Sequence, residues 1–204
     1  MEHYIITVAR GFGSGGKQIA SQLAAELNIE CYENRILTLA SEYSGYEEKK
    51  FVAVDERLRG SSLRMIPKTL LPKPITNNFI NDDQLFACQA EIIRNLADTE
   101  SCVIVGKCAD YVLKNYDNVI SVYIEAPRHY CVARVMERMG VSEKEANAII
   151  TSTDKYRADY YKYYTHGNYW TNPVNYDITL NSEKAGEENC VKIIRQYLKL
   201  KFGI

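Results

Sequence analysis

Tyr4-Ile5-Ile6-Thr7-Val8-Ala9-Arg10-Gly11-Phe12-Gly13-Ser14-Gly15-Gly16-Lys17-Gln18 is the stretch on which the reading of the fold turns. Its first half is short, apolar and β-branched and runs straight into glycine, as expected of a strand buried on both faces in a parallel sheet. Beyond Lys17, Ile19, Leu23 and Leu27 recur at helical spacing with Ala20 and Ala24 beside them, and Asn28 suits the C-cap. Between strand and helix, Gly11 to Lys17 fits the pattern G-x-x-x-x-G-K. Glycine serves a physical need there. It permits positive φ and close backbone approach, so that successive N–H groups and the helix N-terminus converge on phosphate oxygens, with Lys17 adding a point charge.

Gln18 stands where the pattern calls for Ser or Thr, and its amide carbonyl is a bulkier and poorer Mg²⁺ donor than a hydroxyl. A second register is open. A gap-free match to loops of the type S-G-x-G-K-G-T, anchored on the following helix, puts Gly16 rather than Lys17 at the lysine position. A strand-to-helix turn that holds no ligand is the remaining reading.

Outward from this unit the chain repeats the alternation. Leu85, Phe86, Ile92, Ile93 and Leu96 form an apolar helical face, followed by a strand-like run Cys102 to Val105. Val119 to Ile124 reads as another strand, and Pro127 suits the first turn of the next helix. Ser142 and Glu145 have capping-box spacing ahead of a charged, tyrosine-rich helix that runs to Tyr164. Asp177 to Leu180 reads as a last strand, and Val191, Ile194 and Leu198 mark a closing helix. Five strand candidates alternating with helices make an α/β protein with a parallel, doubly wound sheet, which binds ligands at the strands' carboxyl ends. From Tyr43 to Asp83 the pattern loosens around Ser61, Ser62, Pro67, Pro72 and Pro74, which predicts an inserted, partly helical arm.

The 204 residues with 46% hydrophobic content suffice for one substantial core. A formal charge of -1 argues against general nucleic-acid or membrane binding, so any phosphate-binding charge must be concentrated locally. The opening residues turn polar within ten positions, too early for a secretory or spanning segment, and a cytoplasmic protein is expected. Cys31, Cys88, Cys102, Cys108, Cys131 and Cys190 lack CxxC spacing, and His3, His129 and His166 are dispersed. These read as buried thiols and no metal site.

RGFGSGGKQIASQLAAELNIECYENRIL (10–37), VIVGKCADYVLKNYDNVISVYIEAP (103–127), DKYRADYYKYYTHGNYW (154–170) and NYDITLNS (175–182) resemble, in order and spacing, the cytidylate kinase-like family. The resemblance implies a P-loop nucleoside monophosphate kinase fold with a five-stranded parallel core (1–42, 84–135, 172–204), an NMP-binding arm (43–83) and a helical lid (136–171). It implies transfer of a phosphoryl group from ATP, with Mg²⁺ expected, to a nucleoside monophosphate, CMP or dCMP foremost. Gly11, Gly13, Ser14, Gly15, Gly16, Lys17 and Gln18 would hold the ATP phosphates. Lys107 stands in the place of the arginine of a Gly-Arg-Asp motif and would grip the acceptor phosphate; Cys108 replaces that motif's aspartate, with Asp110 two residues on. Arg35, with Tyr32 and Glu33 beside it, falls on the acceptor side. Arg134 and Arg157 would be the catalytic cations together with Lys17, Arg157 lying in an Asp-x-x-Arg pattern with Asp154. For Arg138 a solvated helix face is an equal reading, and Arg10 is either a cleft residue or a surface charge. Asn181 and Ser182 fall near the adenine; Ser182 is also a good N-cap. Tyr156, Tyr160, Tyr161, Tyr163, Tyr164 and Trp170 either stack a base or pack. Two further functions stay open: a nucleotide-binding or sensory module without turnover, and a kinase of a non-nucleotide small molecule.

Overall fold

A computed structural model describes residues 3–33, 35–44 and 83–203, and the arm expected around residues 43–83 falls almost wholly outside them. Strands β1 (Ile5–Arg10), β2 (Glu30–Tyr32), β3 (Cys102–Val105), β4 (Val119–Glu125) and β5 (Ile178–Asn181) form one parallel sheet in the order β2-β3-β1-β4-β5. β1 is central, its Ile5 level with Cys102 on one side and Val119 on the other. That position explains its unbroken apolar run, because helices cover both faces of the sheet.

The alternation of side chains along β1 divides the core. Ile6 and Val8 pack with Ile19, Leu23, Val191, Ile194 and Leu198 from α1 (Gly16–Leu27) and α8 (Glu187–Phe202). Ile5 and Ala9 face the other layer, built by α2 (Arg35–Ser44), α3 (Asp83–Thr99) and α4 (Ala109–Val112). Most of the tyrosine series packs into the core, with Tyr160, Tyr161 and Trp170 also bordering a small cavity. Tyr156, Tyr160, Tyr161, Tyr164 and Trp170 are buried in this second layer, where Phe86 stacks on Tyr164 at 3.8 Å between centroids. Tyr163 is 40% exposed.

Helices α5 (Arg128–Met139) and α6 (Glu143–Tyr164) pair over the carboxyl end of the sheet. The capping box forms as predicted: Ser142 Oγ accepts from the Glu145 N–H and the Ser142 N–H donates to Glu145 Oε2. Asn28 caps α1 in the left-handed conformation. Three boundaries differ from expectation. Pro127 is the N-cap of α5 rather than a residue of its first turn, its φ of -57° and extended ψ aiming the chain into the helix. β5 starts one residue late because Asp177 is spent on Ser121, whose N–H and hydroxyl it accepts. Ser182 is not the N-cap of α7 (Ser182–Ala185); Asn181 is, accepting from the Lys184 N–H. No described helix is long and apolar enough to cross a membrane, and among the described residues no His, Cys, Asp and Glu group into a metal site.

Candidate active site

The glycine turn leaves β1 and enters α1 with Gly13 at φ 87° and Gly15 at φ 82°. At Gly15 a side chain is doubly excluded, because a Cβ would also lie 2.5 Å from the Glu187 carboxylate and 3.3 Å from the Arg134 guanidinium. Ser14 is fully buried and braces the turn: its hydroxyl donates to the Gly11 carbonyl at 2.9 Å and accepts from the Gly16 N–H at 3.3 Å. Ser182, also fully buried, donates its hydroxyl to the Ser14 carbonyl at 2.5 Å. Among the described residues the N–H groups of Gly13, Gly15, Lys17 and Gln18 meet no protein acceptor. Unpaired amides at a helix N-terminus make an anion cradle.

A cavity of about 610 Å³ opens on this cradle, walled by Lys17, Arg10, Arg134, Arg138 and Arg157. Behind it a smaller cavity of about 40 Å³ lies between β3 and α6, bounded by Lys107, Asp110, Tyr161 and Trp170. Arg10 and Arg157 border both. Lys107 is aimed inward by an unusual backbone: Gly106, Lys107 and Cys108 take φ of 74°, 59° and 53° in succession. Left-handed conformation at a non-glycine residue costs roughly 1–2 kcal/mol, and such strain gathers at functional sites.

The profile of the cytidylate kinase-like family matches residues 5–184. The chain belongs to this family. Among solved structures it is similar to an uncharacterized protein from Eubacterium ventriosum, with 29% identity, a TM-score of 0.71, and 97% of this chain and 99% of that one covered. A sugar kinase from Janibacter sp. (17% identity, TM-score 0.57, 97% and 95% covered) and a shikimate kinase from Bacteroides thetaiotaomicron (13%, 0.54, 96% and 98%) share the fold. No curated protein matches the sequence. The protein thus has the fold of P-loop kinases of nucleotides and small molecules.

In this cytidylate kinase-like protein Lys17, Arg10, Arg134 and Arg157 each lie beside a carboxylate. Lys17 Nζ is 2.5 Å from Glu33, which is also 3.6 Å from Arg10, and Arg134 is 2.6 Å from Glu187. Arg157 Nη1 donates to the Arg10 carbonyl at 3.2 Å and to Asp154 at 3.3 Å, while its buried Nε has no partner. One edge of the guanidinium fork is thus anchored. Burial and the neighbouring Arg10 push the Lys107 ammonium down to about 7 and the Arg157 guanidinium to about 9. Burial raises the Asp110 carboxyl to about 6, against the opposing hydrogen bond from the Tyr161 hydroxyl at 2.7 Å.

Not every expected residue converges. Arg35 is 62% exposed at the start of α2, 3.5 Å from Glu30 and over the Tyr32 ring, away from both cavities. Asn181 is spent as a cap, and Ser182 braces the loop from beneath. Arg138 is exposed on its helix and borders the larger cavity.

Phe12, an unassigned position of the motif, was not legible as functional. Its N–H donates to Asp154 at 2.9 Å, and its ring sits among Val132, Val135, Ile149 and Ile150 of α5 and α6. The guanidiniums of Arg138 and Arg157 lie 5.2 and 5.5 Å from the ring centroid. Such a contact contributes about 0.5–1 kcal/mol at the exposed Arg138 and about 2 kcal/mol at the buried Arg157. Phe12→Leu, which keeps apolar volume at a cost under about 1.5 kcal/mol, is expected to lower turnover about tenfold by releasing both arginines, while Phe12→Tyr retains it; steady-state kinetics beside thermal melts separate the two effects.

Proposed function

We propose that this chain transfers a phosphoryl group from ATP to a nucleoside monophosphate, CMP or dCMP first among them. The observation that carries the reading is the sharing of Arg10 and Arg157 by the cradle cavity and the Lys107 cavity. Two anion-binding spaces with a common cationic wall support the in-line approach of two phosphate groups.

In this reading the amides of Gly13, Gly15, Lys17 and Gln18 hold the donor phosphates and Lys17 and Arg134 neutralise them. ATP supplies the phosphoryl group. Lys107 receives the acceptor phosphate, and Arg157 stabilises charge on the equatorial oxygens between the two. The chemistry asks for cations, alignment and exclusion of water rather than a protein nucleophile. Helices α5 and α6 act as the lid.

A coupled assay with ATP, with and without Mg²⁺, against CMP, dCMP, UMP and AMP tests the proposal. Turnover of CMP or dCMP is expected, and no turnover of any monophosphate at high enzyme concentration overturns it. Glu33 favours a second reading, a hydroxyl-bearing small molecule as acceptor. A carboxylate 2.5 Å from Lys17 repels an acceptor phosphate but can accept a proton from an alcohol. Turnover of an alcohol with none of the monophosphates would select it.

A further inference from the structure

We infer that this chain takes its triphosphate donor as the free anion, with arginine and lysine charge standing where a P-loop protein ordinarily holds Mg²⁺. The inference rests on the donor-site reading above. A P-loop protein holds the metal through the hydroxyl after the loop lysine and an acid on a neighbouring strand. The hydroxyl is absent among the described residues, and the acids near the loop are engaged elsewhere. The residue after Lys17 is Gln18, and the loop's hydroxyl, Ser14, is turned into the protein with both its hydrogen bonds spent on Gly11 and Gly16. At the carboxyl end of β3, beside β1, the side chain is a buried cation, Lys107. Glu125, ending β4 on the other side, accepts the Tyr123 hydroxyl at 2.5 Å on one oxygen and the Ala126 N–H at 3.0 Å on the other. Glu33 remains, but a metal there would sit against both Lys17 and Arg10.

The cavity wall is rich in arginine. Five cationic side chains line the cradle cavity with Glu33 and Glu137, and two of the five, Arg134 and Arg157, are paired with Glu187 and Asp154. Four of the five are arginines, which suit phosphate oxygens as rigid forks and are weakly hydrated. Such a wall meets the oxygens of a polyanion directly.

The test is isothermal titration calorimetry of the whole protein with ATP in EDTA and with ATP in excess Mg²⁺. The Kd in EDTA is expected to equal that with Mg²⁺ within about threefold or to be lower, and a Kd more than about tenfold tighter with Mg²⁺ overturns the inference. Arg134→Ala, checked for folding by circular dichroism, is expected to weaken metal-free binding by about tenfold or more and to leave Mg²⁺ now favouring binding. Equal losses under both conditions overturn the substitution of arginine for metal. Binding under neither condition in the unsubstituted protein overturns the donor-site reading and this inference together, whereas metal-dependent binding overturns this inference alone.

Discussion

Arg157→Ala is expected to lower the turnover of phosphoryl transfer by about 10³-fold, the scale on which an arginine at the transferred group acts. The reason lies in how the side chain is held. Its Nη1 is anchored on the Arg10 carbonyl and Asp154, its ring neighbour is Phe12, its buried Nε has no partner, and the side chain borders both cavities. The same substitution also destabilises the fold by about 1–2 kcal/mol, because the half-buried Asp154 loses its counter-charge and keeps only the Phe12 N–H. Burial already raises the Asp154 carboxyl and Arg157 opposes that rise, so the variant's deficit should shrink as pH falls and Asp154 protonates. Arg157→Lys separates the two effects: it keeps the charge, hence the stability, yet loses the fork and about 10²-fold in turnover. Turnover within about threefold of the unsubstituted protein in both variants would remove Arg157 from the reaction.

Lys107→Gly is expected to raise stability while abolishing saturation by the acceptor. Glycine adopts φ of 59° freely, which relieves roughly 1–2 kcal/mol, but its unfolded chain is more disordered by about 1 kcal/mol. These backbone effects nearly cancel and leave the buried ammonium. In the folded protein Lys107 releases its proton near 7, whereas in the unfolded chain it keeps the proton to the ordinary value of 10.5. The unfolded state therefore binds more protons between these limits, so the unsubstituted protein gains stability as pH rises through that window. The cost of Lys107 is full below pH 7, and the advantage of Lys107→Gly is largest there and fades toward pH 10.5. Thermal melts from pH 6 to 10 follow this, and a melting-temperature difference independent of pH would contradict it. A strained, buried cation retained against stability is the expected trade at a working site.

How far the residues could be read in advance depends on the range of the forces involved. β1, the glycine turn and α1 were legible because each is set by local spacing, the turn by the left-handed conformations only glycine takes cheaply. The parallel sheet followed from the alternation of apolar runs. The capping box of Ser142 and Glu145 and the cap at Asn28 were legible for the same local reason, and so was the cradle's bias toward phosphate. Lys107 and Arg157 were found because they lie in patterns resembling a known family. Arg35 was placed on the acceptor side by the same resemblance, and its side chain turns to Glu30 and Tyr32.

What no local pattern could announce are pairings across long separations. Asp154 reaches the Phe12 N–H from 142 residues away, and Ser182 supports the Ser14 carbonyl from 168. Glu33 meets Lys17 and Glu187 meets Arg134 only because the ends of separate elements converge at the sheet's carboxyl edge. The local sequence thus determined a phosphate cradle on a parallel sheet, since hydrogen bonding and backbone sterics act over a few residues. Tertiary structure alone decided which charges face that cradle, because burial and Coulomb interaction depend on distance in space and not along the chain.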